Sequence, residues 1–155
     1  MPEIRQDILD ALISIQFVDK YQQLSQKFSK RTDNLKIQKK EIFEIIEKLG
    51  YEPHYFASES FYYISNQIYD RYAFSIKLVI RRGSIEIIMD LSEDKKGLMG
   101  SSWGAISRKI VQDRNFSIML PHCNSMEEMK MALADIFGIY EEFKSAFLKR
   151  KGLKE

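Results

Sequence analysis

The chain has 155 residues, of which 45% are hydrophobic and 30% are charged, and its formal net charge is +2. This composition excludes an intrinsically disordered chain, and the small net charge excludes a general electrostatic attraction to nucleic acid or membranes. One domain over residues 1–155 is the simplest organisation at this length. The single Cys123 excludes an intrachain disulfide, and no apolar run approaches the ~18–20 residues of a membrane span. Together with an acidic start that lacks a secretory leader, these features predict a cytoplasmic protein without membrane contacts.

Two helical stretches open the chain. Apolar residues recur every three or four positions over residues 3–31, which predicts a long amphipathic helix. Steps of three predominate in its middle, so the apolar stripe drifts and a bend or break is expected there. Asp33 and Asn34 favour a turn, and a second helix is predicted over 35–49 because Gly50 is typical of a position just past a helix end.

Aromatic residues concentrate between positions 51 and 74, after Pro53 ends the helical pattern. Aromatic and β-branched residues are enriched in strands, so this segment predicts strands over 54–58 and 60–65.

A β-hairpin is the clearest structural signal in the sequence. Apolar residues alternate with other residues over 72–82 and again over 85–91, which predicts two strands with one apolar face each. Gly83 between them supplies the positive φ that tight turns require. Any register that keeps the apolar faces aligned must shift by an even number of residues.

Two hairpin registers satisfy this condition. One places residues 82–83 in the loop. The other places residues 83–84 there and brings two oppositely charged pairs face to face, Lys77 with Asp90 and Arg81 with Glu86. Such pairs contribute roughly 0.2–1 kcal/mol each, so the sequence favours the second register.

The last third of the chain contains three further predicted elements. Lysine and glycine residues over 95–100 predict a flexible loop, which a short helix over 102–114 follows. Residues 116–120 predict one more strand, which ends at Pro121.

A long C-terminal helix is predicted over 125–150. Ser125 and Glu128 have the spacing of a capping box, in which each side chain accepts from the backbone N–H of the other residue. The fold class that follows is α+β: a mostly antiparallel, four- to five-stranded sheet with the N-terminal helices and this long helix packed on one face. The other face is then expected to stay partly open, with Lys77, Val79, Arg81, Glu86, Ile88 and Asp90 on it.

No catalytic, metal or cofactor motif occurs in the sequence. His122 precedes Cys123, but neighbouring residues in extended backbone point apart, and pairing of Cys123 with His54 has no supporting pattern. Glu86 and Asp90 share a strand face but stand ~13 Å apart along it, too far to bind one metal ion together. The sequence therefore predicts no catalytic residues, no metal and no cofactor.

A protein-binding module is the function that the sequence favours. Tyrosine is enriched at protein interfaces, and acidic residues accompany the aromatic segment. The predicted partner is another protein, in particular a bacterial toxin that the chain would inhibit as an immunity protein by occluding its surface. The residues predicted to bind that partner are Tyr55, Glu59, Tyr62, Tyr63, Asp70, Glu86 and Asp90.

Nucleic-acid binding is the alternative hypothesis. Basic residues cluster at the junction of the first two predicted helices, and two arginines stand at the hairpin tip, an arrangement similar to helix-and-wing DNA-binding proteins. Acidic residues in the second helix oppose this interpretation, because affinity for nucleic acid requires several phosphates to be neutralised together. The residues concerned are Lys36, Lys39, Lys40, Arg81 and Arg82.

Overall fold

The computed structural model describes residues 3–32 and 35–155. The turn predicted at Asp33 and Asn34 lies outside the described residues. Within them the chain forms five helices, α1 (Gln6–Ser14), α2 (Phe17–Lys27), α3 (Lys39–Lys48), α4 (Trp103–Val111) and α5 (Met126–Arg150). It also forms six strands, β1 (Pro53–Phe56), β2 (Phe61–Ile64), β3 (Gln67–Tyr69), β4 (Tyr72–Arg81), β5 (Ser84–Glu93) and β6 (Lys96–Ser102).

All six strands belong to one antiparallel sheet. The strand order is β1-β2-β4-β5-β6, and β3 pairs with β4. The predicted α+β class, with N-terminal helices and a long C-terminal helix, is confirmed, and the sheet has one strand more than the predicted range.

The central hairpin forms as predicted, but in the other register. Ile80 pairs with Ile85, and residues 82–83 form the loop. Arg82 and Gly83 have φ values of 51° and 94°, and two positive φ values are what a type I′ turn requires. The predicted loop at 83–84 is therefore wrong.

Contacts beyond the hairpin explain this register. The N–H of Ile85 donates to the carbonyl of Pro121 at 3.0 Å, and the N–H of Cys123 donates to the carbonyl of Gly83 at 2.8 Å. Lys77 and Asp90, one of the charge pairs that favoured the other register, still lie near each other as diagonal neighbours on the two strands. Lys77 Nζ is 3.8 Å from Asp90 Oδ2.

Two predictions for the last third of the chain are wrong. Residues 96–102, within and beyond the predicted loop, form β6, because the ladder with β5 satisfies a backbone whose glycines and lysines have low strand propensity. Residues 116–120 form no strand. The chain after residue 120 instead forms hydrogen bonds to the end of α2 and to the central hairpin. His122 N–H donates to Phe28 O, and one isolated bridge joins Ser84 to His122.

The helical regions follow the predicted order with shorter bounds. The long helix over 3–31 is broken at Gln16, which has a left-handed conformation with φ 58°, at the place where the apolar stripe drifts. Ser102 Oγ caps α4, and Ser125 Oγ accepts from Glu128 N–H at 3.1 Å. The second half of the predicted capping box differs, since the Glu128 carboxylate accepts from Asn124 N–H at 2.8 Å.

The helices pack against a single face of the sheet. Phe74 of β4 contacts the rings of Phe143 and Phe147 of α5, and Tyr62 of β2 contacts Phe43 of α3. The side chains of β4 and β5 that point to this face, including Phe74, are buried in the main hydrophobic core. We call this the helix-covered face and its opposite the open face.

Candidate functional site

The open face of the sheet carries a continuous row of side chains. Successive strand pairs place His54, Tyr63, Lys77, Ile88 and Ser102 directly opposite one another, from β1 to β6. Directly opposite residues in an antiparallel sheet point to the same side. The row therefore crosses all five strands of the main path.

An aromatic cluster, defined here as His54, Phe56, Phe61 and Tyr63, occupies the β1–β2 end of this face. The ring of His54 stacks on Tyr63 with centroids 5.0 Å apart, and Phe61 lies 5.3 Å from Phe56 and 5.8 Å from Tyr63. The imidazole of His54 is held by Ser65 Oγ at 2.7 Å from Nε2. These contacts fix the rings beside one another at low conformational cost on binding.

Within the described part of the chain, this face has no helix over it. Phe56, Phe61, Tyr63, Val79 and Ile88 are absent from both the buried core and the hydrophobic side chains that pack on its margin. Phe56 is 44% exposed, and Ile68, opposite Ala73, is 71% exposed. An exposed apolar surface with charged residues beside it is typical of an interaction site.

The charged residues of the open face form an incomplete pair. Lys77 Nζ lies 5.3 Å from the Phe61 ring centroid and 3.8 Å from Asp90 Oδ2, which is too long for a hydrogen bond. Burial raises the pKa of Asp90 above its usual value, and the nearby Lys77 lowers it only in part. The open face therefore contains a carboxylate whose ion pair is weak.

Three of the seven residues predicted to bind a partner share the open face: Tyr63, Glu86 and Asp90. Tyr55 and Tyr62 belong to the helix-covered face, with rings 4.8 Å apart. Tyr62 is only 6% exposed, so its ring is part of the core.

The remaining two predicted residues stand in exposed turns. Glu59 lies between β1 and β2. Asp70 lies between β3 and β4, has φ 57° and is 3.5 Å from the Nε of Arg71. The structure thus distributes the predicted residues over two faces and two turns. Sequence reasoning missed Phe61, which period-two alternation places on the same side as Tyr63, and His54, whose side depends on the register between β1 and β2.

The five basic residues of the alternative hypothesis are all exposed. Lys36 precedes α3, Lys39 and Lys40 begin it, and Lys39 Nζ lies 4.3 Å from the Tyr55 ring centroid. Arg81 and Arg82 stand at the end of the central hairpin. No contact joins the two groups within the described residues.

A buried polar network on the helix-covered face was not predicted. The Lys144 side chain is 2% exposed, and its Nζ donates to Gln67 Oε1 and Glu141 Oε2, both at 2.9 Å. Gln67 also accepts from the hydroxyl of Tyr140 at 2.7 Å, and Glu141 accepts from the hydroxyl of Tyr51 at 2.5 Å. Burial raises the pKa of both tyrosines. The network joins α5 to β3 and to the start of β1.

His122 and Cys123 have separate structural roles. His122 bonds through Nδ1 to Ser84 Oγ at 2.9 Å and through Nε2 to the carbonyl of Thr32 at 2.6 Å. Cys123 is fully buried, and burial raises the pKa of its thiol to about 12. A thiol of that pKa is a poor nucleophile at neutral pH.

The chain matches no protein-family model, no curated protein and no solved structure at a significant level. Among residues 3–32 and 35–155, no helix combines the length and apolar composition of a membrane crossing. In the same ranges no three His, Cys, Asp or Glu side chains gather closely enough to hold a metal ion.

Proposed function

We propose that this chain is a non-enzymatic protein-binding module whose partner docks on the open face of the sheet. The observation that carries the proposal is the aromatic cluster, which stays outside the core and beside the exposed Phe56. Aromatic residues dominate the binding energy of many protein interfaces because they bury a large area in few rotamers.

The dimensions of the open face suit such an interface. The six strands together contain 38 residues, and each residue covers ~16 Å² of a sheet face at ~3.3 Å along the strand and ~4.8 Å across it. The resulting area of ~600 Å² approaches the ~800 Å² that each partner buries in a standard complex. The hydrogen-bonded sheet also limits the conformational entropy lost on docking.

The specific form that we propose is an immunity protein, which inhibits a bacterial toxin by covering the toxin's surface. Inhibition by occlusion needs a rigid surface and no reacting group on the inhibitor. The aromatic cluster would supply the buried contacts, while Glu86 and Asp90 would meet basic residues of the toxin and speed association.

Calorimetric titration of the purified chain with the product of its adjacent gene tests this proposal. The double variant Phe61→Ala and Tyr63→Ala should weaken the complex by about 2 kcal/mol or more. Ile13 and Met131 provide a matched control, because these apolar residues are 52% and 49% exposed but belong to helices. Alanine at those two positions should leave the affinity unchanged.

Equal affinity for the open-face variant and the native chain would remove the open face as the docking site. Growth of cells that express the adjacent gene product tests the immunity role itself. The native chain should restore growth and the double variant should not. A complex that leaves the partner's activity unchanged would contradict inhibition.

The nucleic-acid alternative predicts different results. Exposure of all five basic residues is what this alternative needs. Binding to duplex DNA at low salt that weakens steeply as salt rises, and that is lost on substitution of Lys39, Lys40 and Arg82, would favour it. No shift of the DNA at low salt would eliminate it.

A further inference from the structure

One carboxylate oxygen of the open face lacks a hydrogen-bond donor. Asp90 Oδ2 is buried and has no hydrogen-bond partner among the described residues. Buried polar atoms in folded proteins nearly always have a partner, so the Asp90 carboxylate keeps hydrogen-bonding capacity that the described residues do not use.

Two glycines leave space beside this carboxylate. Gly100 of β6 lies directly opposite Asp90, and a β-carbon on Gly100 would stand 3.2 Å from Asp90 Oδ1. A side chain at position 100 would therefore cover the carboxylate. Gly97, on the same strand, has nothing within 4 Å of its β-carbon position.

The space forms a groove at the β6 edge of the sheet. Its volume is about 310 Å³, and its lining comprises Glu3, Ile4, Asp90 and residues 97–101. The ionisable residues in this lining are Asp90 and Glu3, and both are acidic. The groove is thus complementary to a cation.

We propose that this groove receives an arginine side chain of the protein that docks on the open face, with the Asp90 carboxylate as its hydrogen-bonding partner. A guanidinium group fits this place better than an ammonium group for two reasons. Its planar fork presents several N–H donors to the Asp90 carboxylate, whose Oδ1 faces Gly100, and its weaker hydration suits a groove walled in part by Ile4 and Leu98. This inference rests on the proposed function.

Lys77 competes with an incoming cation for Asp90, but it forms no hydrogen bond to the carboxylate. At 3.8 Å from Oδ2, its ammonium group neutralises part of the carboxylate charge without forming a hydrogen bond. The Lys77 side chain is 38% exposed, so its ammonium group can move into solvent when a guanidinium group approaches.

A titration with N-acetyl-L-arginine methylamide, followed by nuclear magnetic resonance of the isotope-labelled chain, tests the groove directly. The backbone amides of Gly97 and Gly100 and the side-chain carboxyl carbon of Asp90 should shift and approach saturation at about 10 mM probe, the affinity expected of a single small contact. The neutral citrulline analogue should produce no saturable shift. The lysine analogue should bind more weakly than the arginine probe.

The variant Asp90→Asn should weaken probe binding by about tenfold or more. Asp94→Asn is the matched control: Asp94 is an exposed carboxylate in the turn after β5, and asparagine tolerates its φ of 49°. This control should bind the probe as the native chain does. No shift at Gly97 and Gly100 with about 50 mM probe would overturn the proposal. Equal binding to Asp90→Asn, or equal binding of the lysine analogue, would also overturn it.

The same variants separate this inference from the proposed function. If Phe61→Ala with Tyr63→Ala disrupts the protein complex while Asp90→Asn leaves it intact, docking on the open face stands and the arginine contact fails. If the probe binds beside Asp90 but the aromatic variant leaves the protein complex unchanged, the groove stands as a guanidinium site and the proposed docking mode fails.

Discussion

The N–H of Cys123 donates to the carbonyl of Gly83 at 2.8 Å, and a β-carbon on Gly83 would lie 2.1 Å from the carbonyl oxygen of Cys123. This close approach joins the tip of the central hairpin to the segment before α5. Gly83 has φ 94°, a conformation that favours glycine, so the turn requires glycine at this position. The nearby Cys123 backbone also requires glycine here because it leaves no space for a side chain.

Replacement of Gly83 by alanine should therefore destabilise the protein by about 3 kcal/mol or more, because backbone strain and a backbone clash act together. Urea unfolding followed by circular dichroism measures this change. Gly138→Ala is the control: Gly138 lies within α5 with nothing within 4 Å of its β-carbon position. That substitution should stabilise the protein by up to about 1 kcal/mol through helix propensity. Similar unfolding midpoints for the two variants would contradict the role assigned to Gly83.

The single thiol should report on opening of this junction. Cys123 is fully buried, and its pKa is raised to about 12 by burial and by the charge of Glu128. Reaction with a disulfide reagent at pH 8 should be at least about a hundredfold slower in the native protein than in denaturant. Labelling of the native protein at the rate of the denatured protein would show that the segment is open. Gly83→Ala should accelerate the native reaction.

Asp90→Asn should raise the melting temperature at neutral pH. Burial raises the pKa of Asp90 in the folded state, so the fold favours the protonated acid. As pH rises through the unfolded and then the folded pKa, the native protein loses stability that the variant retains. The gain in melting temperature should therefore be larger at pH 7 than at pH 3, as measured by calorimetry. Asp94→Asn should show no such difference between the two pH values. A gain for Asp90→Asn that is independent of pH would contradict desolvation of the carboxylate.

Lys144→Ala should destabilise the protein by about 2–3 kcal/mol, because it removes a buried side-chain stem and takes one of two donors from both Glu141 and Gln67. Lys144→Met, which keeps the volume of the stem, should cost less than the alanine variant. Lys149→Ala, at an exposed position on the same helix, should change stability by no more than about 0.5 kcal/mol. Guanidinium unfolding measures all three variants. Equal losses at positions 144 and 149 would contradict a stabilising network.

Local pattern predicted most of the fold. Alternation identified β4 and β5, and helical periodicity identified the helices. The break at Gln16 was expected from the drifting apolar stripe, but its position depends on how α1 and α2 each pack. The strand β6 was missed because Gly97 and Gly100 weaken strand propensity. Backbone pairing with β5 stabilises this strand in spite of its low propensity.

The candidate site was predicted only in part because exposure is a property of the assembled layers. Tyr62 and Tyr63 are adjacent in sequence and chemically identical, but one packs on Phe43 and the other stacks on His54. Alternation indicated that neighbouring residues of a strand point to opposite faces of the sheet. It could not show which of the two rings lies on the helix-covered face. The groove beside Asp90 depends on a partner strand that the sequence did not reveal.

Successive residues of the two central strands point to opposite sides, so exposed open-face positions such as Glu86 can be substituted without changing a core side chain. Substitutions at exposed positions usually change stability by no more than about 0.5 kcal/mol. If the proposed partner docks there, binding preferences can diverge through these exposed positions among descendants of this sequence, while the unfolding free energies stay nearly constant.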